Sequence, residues 1–214
     1  MASEMVNRAL EFAQKMFQND YSGHDYFHTV RVFKTATHIA TQENADLEIV
    51  QLAALLHDVD DIKLSPQTHA NKENARQFLS ENGVNSTTIE RICEIIGEIS
   101  FAGKDSVEPK TLEGKCVQDA DRLDAIGAIG VARAFAYGGS RNRLMYDPAI
   151  LPKGEMSGEE YHKHESTTIN HFYEKLFKLT DLMNTSTAKA IGAQRQAYMK
   201  AFVVEFMDEW EGVK

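Results

Sequence analysis

Leu52-Ala53-Ala54-Leu55-Leu56-His57-Asp58-Val59-Asp60-Asp61 decides how this chain is read. Five apolar residues end abruptly in an imidazole, a carboxylate and two further acids. A carboxylate beside an imidazole is costly in apolar surroundings unless a cation meets it. A divalent metal is the natural cation, because neutral imidazole and carboxylate are a common ligand mixture. Two further places make the idea testable. One is His28, upstream; the other is the acid-rich segment Gln118-Asp119-Ala120-Asp121-Arg122-Leu123-Asp124, downstream.

The chain around this pair reads as helical almost throughout. Ser3 can cap a helix whose apolar stripe is Val6, Ala9, Leu10, Ala13 and Phe17, stopping near Asn19-Asp20. Further helices are expected from about His24 to Glu43, from Asp46 to Asp58, and from Thr88 to Ile99 after the capping run Asn85-Ser86-Thr87. Ser65-Pro66 opens a polar stretch that leads into a helix ending before Gly83. From Thr111 to Tyr137 the spacing predicts one buried helix. Its small residues Ala120, Ala125, Gly127, Ala128, Gly130, Ala132, Ala134 and Ala136 permit close approach by neighbours. Glycine inside a helix costs about 1 kcal/mol against alanine, so two of them point to tight packing. Residues 140–158 read as an irregular excursion. Two more helices follow, at about 159–179, broken near Glu165, and 186–211. No alternating strand pattern and no internal repeat is visible, so the expectation is one all-α domain over residues 1–214. Its metal-site core covers about 20–137, and C-terminal helices at about 159–211 pack on it.

Bulk properties narrow the function. The 214 residues carry 23 basic and 32 acidic side chains, a net charge of -9. That argues against general duplex binding, which needs clustered Lys and Arg. It leaves room for a small anion held by a few local cations. The two cysteines, Cys93 and Cys116, fall in helical apolar patterns and read as buried thiols rather than a disulfide framework. No signal core and no apolar run near the ~18 residues of a membrane span is present. The default compartment is the cytoplasm, and no membrane partner is expected.

Face arithmetic sharpens the ligand choice. His24, His28 and Arg31 project from one helical face. Asp119 and Asp121 differ by about 200° around a helix, so one ion would not engage both. Asp121 shares its face with Asp124 and Ala125 and is preferred. Asp61, three residues after Asp58, shares its face if the helix continues.

Together, His28, His57-Asp58 and Ala120-Asp121-Arg122-Leu123 resemble the HD-domain superfamily of metal-dependent phosphohydrolases. The resemblance extends to a bacterial subgroup through Gly23-His24-Asp25-x-x-His28-x-x-Arg31-Val32, Asp119 through Gly127, Tyr146-Asp147-Pro148, and the tail from His171-Phe172-Tyr173 to Glu209-Trp210. It implies an all-helical fold, and a metal held by His28, His57, Asp58 and Asp121. It also implies a phosphohydrolase acting on a small phosphorylated substrate, expected to be a nucleotide. Some relatives are nucleoside triphosphate pyrophosphohydrolases. One divalent ion is expected, and Mn²⁺, Mg²⁺, Fe²⁺, Co²⁺ and Ni²⁺ all suit the donors. Asp61 is the candidate for deprotonating water. Arg31, Lys63, Arg122 and His24 are candidates for holding phosphate oxygens, and Arg31 also for stabilising the transition state. Arg141 and Arg143 could close a phosphate-binding flap or simply belong to a polar loop. His162, His164 and His171 do not form a ligand pattern of known spacing. The alternative is a non-catalytic HD module that binds a nucleotide or a structural metal. The oligomeric state is open.

Overall fold

A computed structural model of the protein describes residues 3–18, 25–62, 64–99, 107–154, 164 and 166–214. Nine α-helices and no strand occur among them. These are α1 Glu4–Phe17, α2 Tyr26–Glu43, α3 Leu47–Leu56, α4 Glu73–Glu81, α5 Ser86–Gly97, α6 Leu112–Asp124, α7 Gly127–Ser140, α8 Thr168–Glu174 and α9 Ser186–Trp210, with a 3-10 stretch at Leu176–Leu182. No helix among the described residues is long and apolar enough to cross a membrane. Side-chain caps explain most of the starts. Ser3, Asp25, Asp46, Asn85, Thr167 and Thr185 each accept a backbone N–H from the first turn of the helix that follows.

The chain forms two compact units, residues 1–100 with 107–121, and residues 101–106 with 122–214. In the first unit α3 is apolar on every side from Leu52 to Leu56. Ile49, Val50 and Leu52 through Leu56 are all buried, because α1, α2 and α5 pack around it. A helix buried all round needs no polar face, which is why the run before His57 lacks one. The core of this unit is aliphatic, with Ile39, Leu52, Leu55, Leu56, Leu79, Ile92 and Ile95 fully enclosed.

The second unit is packed with aromatic rings instead. Phe135 of α7 meets Phe172 of α8 and Phe202 and Phe206 of α9, at centroid distances of 6.4, 5.8 and 6.0 Å. Trp210 continues the series, stacking on Phe206 and standing edge-on to Tyr146.

Three expectations change. The helix expected across 111–137 is broken at Ala125-Ile126, between α6 and α7. Gly127 has φ +77°, which an L side chain adopts only with strain, and a Cβ there would meet Arg195 Cγ at 2.9 Å. The small residues thus serve a turn as well as close packing. α3 stops at Leu56, with His57 as its C-cap, so Asp61 does not extend the face of α3. Of the helix expected over 159–179, residues 155–163 and 165 lie outside the described set. The α-helix is only Thr168–Glu174, and the chain then tightens into the 3-10 turn.

Candidate metal centre

α2, α3 and α6 supply the side chains that meet. Asp25 caps α2 by accepting the His28 N–H at 2.9 Å, which fixes the first turn that carries His28. His57 sits at the C-cap of α3, the negative end of the helix dipole, a favourable place for a cation. Asp121 belongs to α6. Nearby in that helix, Gln118 donates to the carbonyls of Glu98 and Val107 at 2.8 and 2.9 Å.

Donor atoms of His28, His57 and Asp58 all lie within 4.8 Å of one another, and all three residues are buried. His28 Nε2 is 3.4 Å from Asp58 Oδ2 and His57 Nε2 is 3.2 Å from it. Asp121 Oδ1 is 3.4 Å from His28 Nε2 and 4.0 Å from His57 Nε2. Atoms bound to one ion at about 2.1 Å lie roughly 3.0–4.2 Å apart for angles between 90° and 180°. The observed separations fall in that range.

The tautomer of His57 is set. Its Nδ1–H donates to the Ala54 carbonyl at 2.8 Å, which leaves the Nε2 lone pair facing the carboxylates. That Nε2 is buried and makes no hydrogen bond. Burial alone would lower the pKa of His57. The Asp58 and Asp121 charges outweigh it and push the value up to about 9. The cluster therefore attracts positive charge, and the orphaned nitrogen is the feature a metal ion would satisfy. The structure has a His-His-Asp group able to hold a divalent cation, with Asp121 close by.

The remaining candidates are distributed unevenly. Arg31 is half-buried, less than one turn beyond His28 in α2. Asp61 is half-exposed in the turn after α3, and its N–H donates to the Asp58 carbonyl at 3.0 Å. Arg122 is buried in the second unit and donates to the Leu182 carbonyl. His24 and Lys63 lie outside the described residues, as does His162. Asp119 is completely buried, whereas Asp121 Oδ1 lies 3.4 Å from His28 Nε2.

Sequence reasoning passed over Asp60. It is buried, and its two carboxylate oxygens accept the N–H groups of Asn74 and Ala75 at 3.1 and 3.0 Å. It thereby caps α4, whose own N-cap, Lys72, makes no side-chain cap bond. Asn74 returns a bond to the Val59 carbonyl at 2.9 Å, and a His69–Asp60 carbonyl contact of 2.8 Å closes the staple. The turn bearing His57-Asp58 is thus tied to α4. Only the absence of Ser, Thr, Asp or Asn at residue 72 hinted at a remote cap.

Fold and site together place the chain in a known class: the model of the HD domain family matches residues 25–126. A Bacillus thuringiensis HD-superfamily hydrolase of solved structure is 41% identical, covers 98% of each chain and superposes with a TM-score of 0.79. The chain belongs to the HD superfamily and has its hydrolase fold. A Lactobacillus plantarum protein of solved structure is 43% identical over 99% of each chain, with a TM-score of 0.82. Bacillus subtilis YpgQ is 37% identical over 204 residues, covering 94% of this chain and 92% of its own. YpgQ has been crystallised in complex with ADP, and that structure superposes with a TM-score of 0.78.

Proposed function

We propose that this protein is a metal-dependent phosphohydrolase acting on a nucleotide, with His28, His57, Asp58 and Asp121 holding one divalent cation. The observation that carries the reading is the buried His57 Nε2, without a hydrogen bond and flanked by Asp58 and Asp121. Two neutral imidazoles and two carboxylates offset the charge of one divalent ion. The mixed nitrogen and oxygen donors suit Mn²⁺, Mg²⁺, Fe²⁺, Co²⁺ or Ni²⁺. The ADP complex of YpgQ supports a nucleotide as the substrate class.

A bound cation would lower the pKa of its water and polarise the phosphorus centre. This chain's own groups do the rest. Ala54, through its carbonyl, holds the His57 ring in one tautomer. Asp61, exposed enough to meet solvent, takes the proton from the attacking water. Arg31 offers its guanidinium to the equatorial phosphate oxygens, where charge builds as the bond to the leaving group breaks. Attack at the α-phosphorus of a triphosphate would release pyrophosphate and leave a monophosphate. His24, Lys63 and Arg122 remain proposed as further contacts to phosphate oxygens.

The test is a substrate screen on protein stripped of metal and reloaded with Mn²⁺ or Mg²⁺. Nucleoside triphosphates, monophosphates and a generic phosphodiester are compared. Pyrophosphate release from a triphosphate is expected, falling by at least about 100-fold in Asp58→Ala, beyond the 10–100-fold of an outer-shell change. Tight nucleotide binding with no turnover under any divalent ion would sink the enzyme reading in favour of a binding module.

A further inference from the structure

The rotation of α6 about its own axis decides what it presents to the imidazoles. Asp119 and Asp121 differ by about 200° around that axis, and Asp121 Oδ1 lies 3.4 Å from His28 Nε2. Side chains reach about 5 Å from a helix axis, so a turn of about 30° would move a carboxylate by roughly 3 Å. That displacement exceeds a metal–oxygen bond of about 2.1 Å. Something must hold the angle of α6.

The helix is seated before Asp121 is reached. Thr111 caps it, with Oγ1 accepting the Gly114 N–H at 3.0 Å. A Cβ on Gly114 would stand 2.9 Å from Pro109 Cβ, 3.2 Å from Thr111 Oγ1 and 3.7 Å from Ile95 Cγ1, so α6 approaches as closely as glycine allows. One turn further on, Gln118 is completely buried. Its amide nitrogen donates to the Glu98 carbonyl at 2.8 Å and to the Val107 carbonyl at 2.9 Å. A side-chain amide has two N–H groups, and these two bonds use both.

The acceptor chain is itself held. Glu98 is the C-cap of α5, and its N–H meets the carbonyls of Ile95 and Ile96. Its carboxylate accepts the Lys110 N–H at 3.2 Å and stands 3.4 Å from Lys110 Nζ. Gly114, Gln118 and Asp121 follow the i, i+4, i+7 spacing of one helical face. The glycine sets how near α6 lies, and the directional bonds of the amide set its rotation. The carboxylate follows within the next turn.

We propose that Gln118 is a positioning residue for the metal centre: its clasp on the Glu98 and Val107 carbonyls fixes the rotation of α6 and aims Asp121 at the ion. The inference rests on the metal-dependent reading given above. Gln118 acts through Asp121 rather than on the ion itself.

The test is a double-mutant cycle on the full chain, read as Mn²⁺ affinity by electron paramagnetic resonance, with no substrate present. Gln118→Met keeps the length of the side chain and removes both donors. It should weaken Mn²⁺ binding by about tenfold, the lower end of an outer-shell change. In an Asp121→Ala background the same substitution should alter affinity by less than about twofold, because the ligand through which it acts is gone. Ile39→Ala truncates the core three turns beyond His28 in α2. It should lower the unfolding midpoint and leave Mn²⁺ affinity unchanged, which separates aim from stability. If Gln118→Met does not fold, Gly114→Ala presses the same helix away from Pro109 and should weaken Mn²⁺ binding with the same dependence on Asp121. Equal Mn²⁺ affinity with and without the Gln118 amide, or a loss that persists in full without Asp121, would overturn the proposal alone. An unaltered protein that binds no Mn²⁺ would overturn the metal reading and this proposal with it.

Discussion

The two units bury polar groups in opposite ways. In the first, His28, His57 and Asp58 crowd together with Asp121 at the edge, and the His57 Nε2 stays without a hydrogen bond. In the second, several buried polar groups close on partners within the unit, although Thr180 Oγ1 makes no hydrogen bond. Glu174 gathers Ser166, the Lys153 N–H and His164, Asp124 pairs with Arg133, and Asn170 donates to the Ile150 carbonyl at 2.7 Å. Buried polar groups ordinarily find partners. The second unit largely obeys that rule with its own side chains and main chain. The other holds a surplus of lone pairs that a cation would complete.

Four measurements break or sharpen this contrast. A divalent cation present at 1,000 times its Kd should stabilise the protein by about 4.1 kcal/mol. Hydrogen exchange should slow in α2, α3 and α4 and not in α9, and Asp58→Ala should remove the effect. Equal protection of α9 would dissolve the contrast.

Glu174→Ala should cost the second unit about 3 kcal/mol in urea unfolding, because it strands the buried donors that now converge on the carboxylate. Metal affinity should be untouched. A neutral result would mean that water serves those donors equally well.

Acid should act on the second unit through His171. Its folded value, about 3, lies below the ordinary 6.5. The unfolded chain therefore binds the proton more readily. The stability from the neutral ring is complete above pH 6.5 and is lost as pH falls towards 3. Between pH 6.5 and 5 the loss should reach about 2 kcal/mol. His171→Gln should flatten that slope, and an unchanged slope would show that the ring is already solvated.

Asp60→Asn keeps one acceptor for α4 and loses the other, so a cost of about 1 kcal/mol is expected. Metal affinity should fall by about tenfold through the loosened turn at His57-Asp58, the scale of an outer-shell change. A stability loss with unaltered metal affinity would make Asp60 a cap and nothing more.

Much of the first unit was readable in advance because its cues are local. The apolar run of α3 ends at His57, the caps Ser3, Asp46 and Asn85 stand where their helices begin, and helical angles separate Asp121 from Asp119. What escaped depends on distant chain. The break before α7 follows from Gly127, whose missing Cβ leaves space for Arg195. Asp60 caps a helix that starts more than a dozen residues later. His171 is kept neutral first by burial, then by Lys175 and by Arg143, and no spacing rule links Arg143 to it. The expected end of α3 near Asp58 runs two residues past Leu56, because the acidic residues there are compatible with helix. The staple from Asp60 to α4 follows directly after that end.

The acceptor that orients His57 is a main-chain oxygen, at Ala54. No codon change at that position deletes a carbonyl, so the acceptor survives any substitution of Ala54 that leaves α3 in place. Heredity thus protects the imidazole's orientation more securely than it protects Arg31 or Asp61, each one nucleotide substitution from another side chain. Descendants of this sequence can alter exposed residues while the Nε2 of His57 keeps its aim.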